Sequence, residues 1–227
     1  MHLTKLAFGT EPSSHRYRLR LARYRGLSEA IAEFVRSRPD TGTPLQLLDV
    51  GVGSGRTLRY CDTMGLGSRL AFHGVDNGER RLETVFGGAR WELKQADIAN
   101  GLPYPDGRFD IVTISAVLHH VPLAERAAVY RELARVLKPG GRLYVFEHNP
   151  RNPLVRYVVA RTPIDANAIL LDEKEVRHGL LDSAPYHIES DYLMFMPPGI
   201  AALRGVDRLL AWLPLGAQYV VAARKTA

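Results

Sequence analysis

The sequence predicts an α/β fold, in which a mostly parallel sheet carries helices on both faces. Two observations predict it. Apolar strand-like segments alternate with helix-like segments along much of the chain. In addition, the segment 47–56 runs from an apolar strand through three alternating glycines into a helix-compatible stretch. Alternation of this kind favours parallel strands joined by right-handed crossovers.

The elements follow one another in a regular order. Strands are predicted near 45–50, 70–75, 90–95, 109–115 and 142–147. Helices are predicted near 54–64, 78–86, 122–137 and 172–183. Two further strands, near 187–196 and 217–225, are close enough along the chain to pair as neighbours. The helix before the first strand is amphipathic, with Tyr17, Leu21, Tyr24, Ile31 and Val35 at helical spacing.

Composition indicates one soluble domain. The chain has 227 residues, 46% of them hydrophobic, and a net charge of +6, so it can bury a sizeable core. No apolar run reaches the length of a membrane span, and no signal peptide is recognised, so a cytoplasmic protein is expected. The one cysteine, Cys61, excludes an intramolecular disulfide and is expected to be a buried thiol in the first helix after the glycines.

The glycine segment favours a nucleotide-like ligand of particular charge. Gly51, Gly53 and Gly55 allow backbone angles that side chains forbid and let the main chain approach a ligand closely. A dinucleotide site has a different spacing, Gly-x-Gly-x-x-Gly. Asp49, two residues before the first glycine, would repel a phosphate and suits a cationic ligand. A tight turn without a ligand is the alternative, and a nicotinamide-dependent oxidoreductase is disfavoured.

Further polar residues follow successive strands. Asp76 ends the second strand about 25 residues after Gly51, where an acidic side chain can accept hydrogen bonds from both ribose hydroxyls. Asp97 and Ile98 follow the third strand, and Ser115 ends the fourth. Carboxyl ends of parallel strands meet at one edge, so these residues are expected around one crevice, where the strand order reverses.

In this order and at these distances, the motifs resemble those of the class I S-adenosylmethionine-dependent methyltransferases. The resemblance covers about residues 45–150 and is closest to the small-molecule branch that includes quinone-biosynthesis enzymes. It implies a Rossmann-like seven-stranded sheet in the order 3-2-1-4-5-7-6 with strand 7 antiparallel. It also implies that S-adenosylmethionine, whose sulfonium and ammonium are cationic, is the cofactor.

The resemblance implies roles for individual residues. Asp76 would bind the ribose, Asp97 the adenine amino group, and Ile98 would cover the adenine ring, while His120 would pack beside the cofactor. The full predicted cofactor-binding set is Asp49, Gly51, Gly53, Gly55, Asp76, Asn77, Asp97, Ile98, Ser115 and His120.

Catalytic candidates follow the fourth and fifth strands. A general base is needed only if the acceptor must lose a proton, because alignment alone can drive methyl transfer. His148, with Glu147 beside it, is the first candidate for the base, and His119 is the second. The alternative for each histidine is a hydrogen-bonded structural role. No metal site is expected, because the histidines lack ligand spacing along the chain.

One domain, residues 1–227, is predicted to contain three parts. Residues 1–40 form a cap helix, 45–147 a cofactor-binding half, and 148–227 an acceptor-side half with insertions at 149–170 and 197–216. The insertions are either lids over the crevice or decorations of the core. The cap helix carries five arginines between residues 15 and 25. They form either a solvated face or a surface for an anionic partner, including a peripheral membrane contact.

The predicted function is methyl transfer to a small or lipid-like, partly apolar acceptor. The apolar content of both insertions favours this acceptor class, and a nucleic acid is not favoured. Enzymes that methylate nucleobase amines would be expected to carry an Asn/Asp-Pro-Pro-aromatic tetrad where this chain has Ser115–Leu118. Methylation of a nucleic acid or protein, and a non-catalytic S-adenosylmethionine-binding protein, remain as alternatives. The sequence leaves the oligomeric state open.

Overall fold

The computed structural model describes residues 15–78, 91–195 and 209–226, with side chains of the first helix described from Gly26 onward. The helices are α1 His15–Arg36, α2 Arg56–Thr63, α3 Leu123–Val136, α4 Pro153–Val159 and α5 Glu173–Ser183. The strands are β1 Leu45–Val50, β2 Leu70–Asp76, β3 Trp91–Gln95, β4 Phe109–Ser115, β5 Leu137–His148, β6 Tyr186–Leu193 and β7 Gln218–Lys225. The predicted helix 78–86 lies almost wholly outside the described residues.

The strands form one seven-stranded sheet in the order β3-β2-β1-β4-β5-β7-β6. Strands β1 to β5 pair in parallel. Strand β7 runs antiparallel to both β5 and β6. The predicted order and the antiparallel strand 7 are therefore confirmed. The order reverses between β1 and β4, which opens a crevice at their carboxyl ends in sheets of this kind.

The core lies on both faces of the sheet, because successive side chains of a strand point in opposite directions. Leu47 of β1 belongs to a cluster that includes Ile31 of α1 and Leu58 of α2. Its neighbour Leu48 belongs to a second cluster, together with Leu133 of α3 and further residues of α5. Strands buried on both faces explain the nearly continuous apolar runs in the sequence.

Helix α1 covers one face with its C-terminal half. Ile31 and Val35 are fully buried, as their helical spacing predicts. The side chains of Tyr17, Leu21 and Tyr24 lie outside the described part of the helix, and so do its five arginines. Cys61 of α2 is buried beneath this layer. Burial raises the pKa of its thiol to about 12, against an opposing hydrogen bond with Ser28, so the cysteine is a structural residue.

Strand β5 begins earlier than predicted. The sequence predicts a strand near 142–147, but the strand starts at Leu137, directly after α3. Leu137 pairs with Phe109, and a register shift follows between Phe109 and Ile111. Gly140 has φ +75° within this irregular stretch, so the glycines of this stretch let the strand bend without ending.

The first insertion, residues 149–170, lies wholly within the described residues. It contains α4 and a single 3-10 turn at Pro163–Asp165. Asn149 anchors its base, donating from Nδ2 to the carbonyl oxygens of Pro214 and Gly216. Only residues 209–216 of the second insertion are described. Over the described residues, no helix has both the length and the apolar character needed to cross a membrane.

Candidate active site

The glycine segment forms a tight loop between β1 and α2. Gly51, Gly53 and Gly55 have φ values of +72°, +52° and +67°, which side chains rarely adopt. A Cβ on Gly51 would lie 2.3 Å from Cγ2 of Val117. The loop therefore needs glycine at Gly51 for its backbone angle and for its close approach to the segment after β4.

Asp49 lies within the sheet just before this loop. Its side chain is buried, and Oδ1 accepts a hydrogen bond of 2.7 Å from Thr113 Oγ1 on the neighbouring β4. The carboxylate thus places negative charge under the loop, at the point where the strand order reverses. That the site disfavours phosphate stays a prediction.

Asp76 ends β2 and contacts the glycine loop directly. Its Oδ2 accepts from the backbone N–H of Gly53 at 2.8 Å, and its Oδ1 accepts from that of Gly78 at 3.0 Å. A carboxylate has about four lone-pair positions, so both oxygens keep capacity for a ligand hydroxyl. Asn77, next in the chain, is exposed. Asp76 consequently fixes the loop and is still able to bind a ligand.

The third and fourth strands end in residues of different character. Asp97 is exposed and caps a short 3-10 turn by accepting from the backbone N–H of Ala99, whereas the adjacent Ile98 is buried. Ser115 ends β4, and among the described residues its buried Oγ has no hydrogen-bond partner. A buried hydroxyl without a partner costs free energy, so a bound ligand could supply the missing contact.

Glu147, near the end of β5, organises the segment that follows β4. Its side chain is fully buried. Oε1 accepts from the backbone N–H groups of Val117 and Leu118 at 3.0 and 2.8 Å. Oε2 lies 2.6 Å from Nδ1 of His119, which is also buried. In the sequence Glu147 lies beside the candidate base His148, and in the structure its oxygens contact His119 and two backbone N–H groups, so a part for Glu147 in proton transfer stays a prediction.

The ionisation of Glu147 follows from these contacts. Burial raises the pKa of this carboxyl group. The charge and hydrogen bond of His119, the charge of His148 and the N–H of Leu118 lower it, and these prevail, so its pKa lies below the usual range. An ionised carboxylate only accepts hydrogen bonds, so His119 carries its proton on Nδ1 in this contact.

The backbone between Ser115 and Val117 is unusual. Ala116 has φ +56°, a left-handed conformation that costs a non-glycine residue about 1–2 kcal/mol. Its N–H donates to the carbonyl of Phe146, and the next two N–H groups donate to Glu147. These contacts hold a strained turn at the edge of the crevice, a feature common at functional sites.

His120 and His148 lie around His119. The ring of His120 is 4.2 Å and the ring of His148 is 5.3 Å from the ring of His119, measured between centroids. Asp165, from the first insertion, reaches the same place. Its Oδ1 lies 3.6 Å from Nε2 of His119 and 3.5 Å from Nε2 of His120. The spacing of the histidines along the chain gives no sign of this approach.

The sequence-predicted residues are thus all located by the structure. The glycine loop, Asp76, Asp97 and Ser115 follow the carboxyl ends of β1 to β4, at one edge of the sheet. His119, His120 and His148 form a group after β4 and β5. Three contributors escaped sequence reasoning: Glu147 as an anchor, Ala116 as a strained residue, and Asp165. The one available signal was Glu147, an acidic residue inside an apolar strand.

Comparison with known proteins gives a family. Residues 48–145 match the model of a family described as a methyltransferase domain. The ubiquinone/menaquinone biosynthesis C-methyltransferase of Azotobacter vinelandii is 33% identical over 168 residues, which cover 68% of this chain and 64% of that protein. The chain therefore spans slightly less than two thirds of that relative. The 27-O-demethylrifamycin SV methyltransferase of Amycolatopsis mediterranei is 39% identical over 102 residues, which cover 43% of this chain and 36% of that protein.

Solved structures agree on the fold. A SAM-dependent methyltransferase from Archaeoglobus fulgidus superposes with a TM-score of 0.62 at 18% identity, covering 92% of this chain and 99% of that one. The sheet order, the glycine loop and the sequence relatives agree with one another. The chain is similar in sequence, over residues 48–145, and in fold to the class I S-adenosylmethionine-dependent methyltransferases.

Proposed function

We propose that this protein transfers the methyl group of S-adenosylmethionine to a small, partly apolar acceptor. One observation carries the proposal. The glycine loop, Asp76, Asp97 with Ile98, and Ser115 lie at or just after the carboxyl ends of β1 to β4, and the strand order reverses between β1 and β4. Sheets of this type bind ligands at that place.

The residues at this edge suit the cofactor chemically. In the proposal, Asp76 accepts from the ribose hydroxyls while it holds the N–H of Gly53. Asp97 accepts from the adenine amino group, and Ile98 offers an apolar surface to the ring. Asp49 lies beneath the loop as a buried negative charge, which favours the cationic end of the ligand. The unpartnered hydroxyl of Ser115 offers a further polar contact.

The chemistry asked of the protein is mainly positioning. When bound, S-adenosylmethionine supplies a methyl group that its sulfonium has already activated. Holding the acceptor in line with that methyl group can contribute about 7–11 kcal/mol of rate acceleration. The rigid segment 115–119, fixed by Glu147, is suited to that task.

In this proposal, three parts of the single domain of residues 1–227 have different roles. Residues 45–147 hold the cofactor, residues 148–227 shape the acceptor side, and residues 1–40 cap the site. The first insertion exposes apolar side chains at Leu154, Tyr157 and Ile164, and residues 209–215 add exposed Leu209, Trp212 and Leu215. Such a surface suits an apolar or lipid-like molecule. The two named relatives are also named for small molecules, a quinone and a rifamycin.

If the acceptor must lose a proton, His148 is our candidate for the base. It is half-buried, so it remains accessible to a substrate. His119 is a weaker candidate, because it is buried and its Nδ1 is bonded to Glu147. The basic end of α1, residues 15–25, is proposed to face an anionic partner such as a membrane surface.

Cofactor binding is tested by calorimetry on the full chain. We expect S-adenosylmethionine to bind and NADH not to bind. Asp76→Ala is expected to raise the dissociation constant for S-adenosylmethionine about tenfold or more, because charge-assisted hydrogen bonds contribute about 1.5–3 kcal/mol. Asp62→Ala, which removes an exposed acidic residue from α2, serves as the matched control and should leave affinity unchanged. Binding of NADH alone, or equal affinity in both variants, would refute this assignment.

A further inference from the structure

Three potential metal ligands converge beside the proposed site. They belong to His119, His120 and Asp165, each of which offers one ligand atom within 4.8 Å of the other two. The two histidines come from the turn after β4, whereas Asp165 comes from the 3-10 turn of the first insertion. Two separate parts of the fold therefore supply one cluster of donor atoms.

The distances in this cluster fit coordination better than direct hydrogen bonding. Charged N–H···O bonds are about 2.7–2.9 Å long, whereas Oδ1 of Asp165 is 3.6 and 3.5 Å from the two nitrogens. In tetrahedral coordination with bonds near 2.0–2.2 Å, neighbouring ligand atoms are about 3.3–3.5 Å apart. The two nitrogen–oxygen distances are thus close to those between neighbouring ligands of one ion.

Glu147 supplies the support that a metal-binding histidine needs. It accepts from Nδ1 of His119 at 2.6 Å inside the core. Because Nδ1 is taken up by this contact, Nε2, on the Asp165 side of the ring, is the nitrogen that faces the cluster. A carboxylate bonded to the far nitrogen is the usual partner of a ligating histidine, and it also fixes the ring orientation.

From this geometry we propose that His119, His120 and Asp165 bind one divalent first-row transition-metal ion. Two imidazoles and one carboxylate suit ions such as Zn²⁺ rather than Mg²⁺ or Ca²⁺, which prefer oxygen ligands. Three protein ligands leave a fourth position for water or another small ligand. Such an ion would also fasten the first insertion to the end of β4. The proposal is independent of methyl transfer and does not rest on it.

The test is a titration of the untagged, chelator-treated full chain with Zn²⁺, followed by calorimetry, and with Co²⁺, followed by visible absorption. We expect one ion per chain and a spectrum typical of four-coordinate cobalt. His120→Ala and Asp165→Asn change two partly accessible side chains, so the core should remain folded. Each is expected to weaken Zn²⁺ binding by about 10²-fold or more. A large excess of Mg²⁺ should not compete.

The control is His187→Ala, which removes an exposed histidine from β6 and should leave Zn²⁺ affinity unchanged. Glu147→Gln should weaken binding about 10–100-fold, as removal of a ligand-supporting group does. Absence of Zn²⁺ binding by the wild-type chain would overturn the proposal, and so would equal affinity in the wild type and in both ligand variants. S-adenosylmethionine binding, measured on the same samples, tells such a failure apart from failure of the proposed function.

Discussion

Replacing Glu147 with alanine is expected to lower the free energy of unfolding by about 3–5 kcal/mol, the range for breaking one side of a buried ion pair. The variant leaves the imidazole of His119 buried without its 2.6 Å partner. It also leaves the N–H groups of Val117 and Leu118 without their acceptor, next to the strained residue Ala116. Urea denaturation of wild type and variant measures the difference.

The control is Glu189→Ala, at an exposed position of β6, where a surface substitution should change stability by no more than about 0.5 kcal/mol. If Glu147→Ala does not fold, Glu147→Gln provides the measurement, because glutamine keeps an oxygen for the two backbone donors and should be the milder change. A loss below about 1 kcal/mol in Glu147→Ala would show that this carboxylate does not hold the segment after β4.

Replacing His148 with alanine is expected to lower kcat by about 10² or more, the contribution of one general base, while affinity for S-adenosylmethionine stays the same. The substitution is expected to change kcat but not cofactor affinity, because no cofactor contact is assigned to His148. Two measurements are needed. The kcat is measured with the acceptor that takes up methyl groups, and the affinity for S-adenosylmethionine is measured by calorimetry.

His178→Ala, which removes an exposed histidine from α5, is the control and should keep normal turnover. Near-normal kcat in His148→Ala would remove His148 from the mechanism and would indicate that positioning alone drives transfer. A parallel fall in cofactor affinity would also count against a base at this residue, since it would point to a binding or folding role.

The sheet could be predicted because its determinants are local. Strands β1, β2 and β4 are mostly apolar runs that are bounded by Gly51, Asp76 and Ser115, and α2 starts directly after the glycines. The early start of β5 could not be predicted. One proline and two glycines at 139–141 indicate a turn, but pairing of Leu137 with Phe109 extends the strand through them. Here a long-range contact overrides a local preference.

The candidate site also contains residues that could be predicted from the sequence and residues that could not. Asp76 and the glycine loop could be located because their positions relative to strand ends are regular. The role of Glu147 depends on backbone N–H groups about 30 residues earlier in the chain, and the approach of Asp165 to the histidines depends on how the first insertion folds back. Neither has a periodic or motif signal. Residue spacing therefore predicts contacts at strand ends, but it does not predict contacts made by inserted segments.

The central claim, methyl transfer to a small acceptor, is tested most directly by following the methyl group itself. The full chain is incubated with S-adenosylmethionine carrying a labelled methyl group and with a cell extract divided into solvent-extractable small molecules, nucleic acid and protein. We predict enzyme-dependent label in the small-molecule fraction alone, with quinone precursors as the first compounds to examine. Label in nucleic acid or protein, or no transfer to any fraction by a chain that binds the cofactor, would contradict the account.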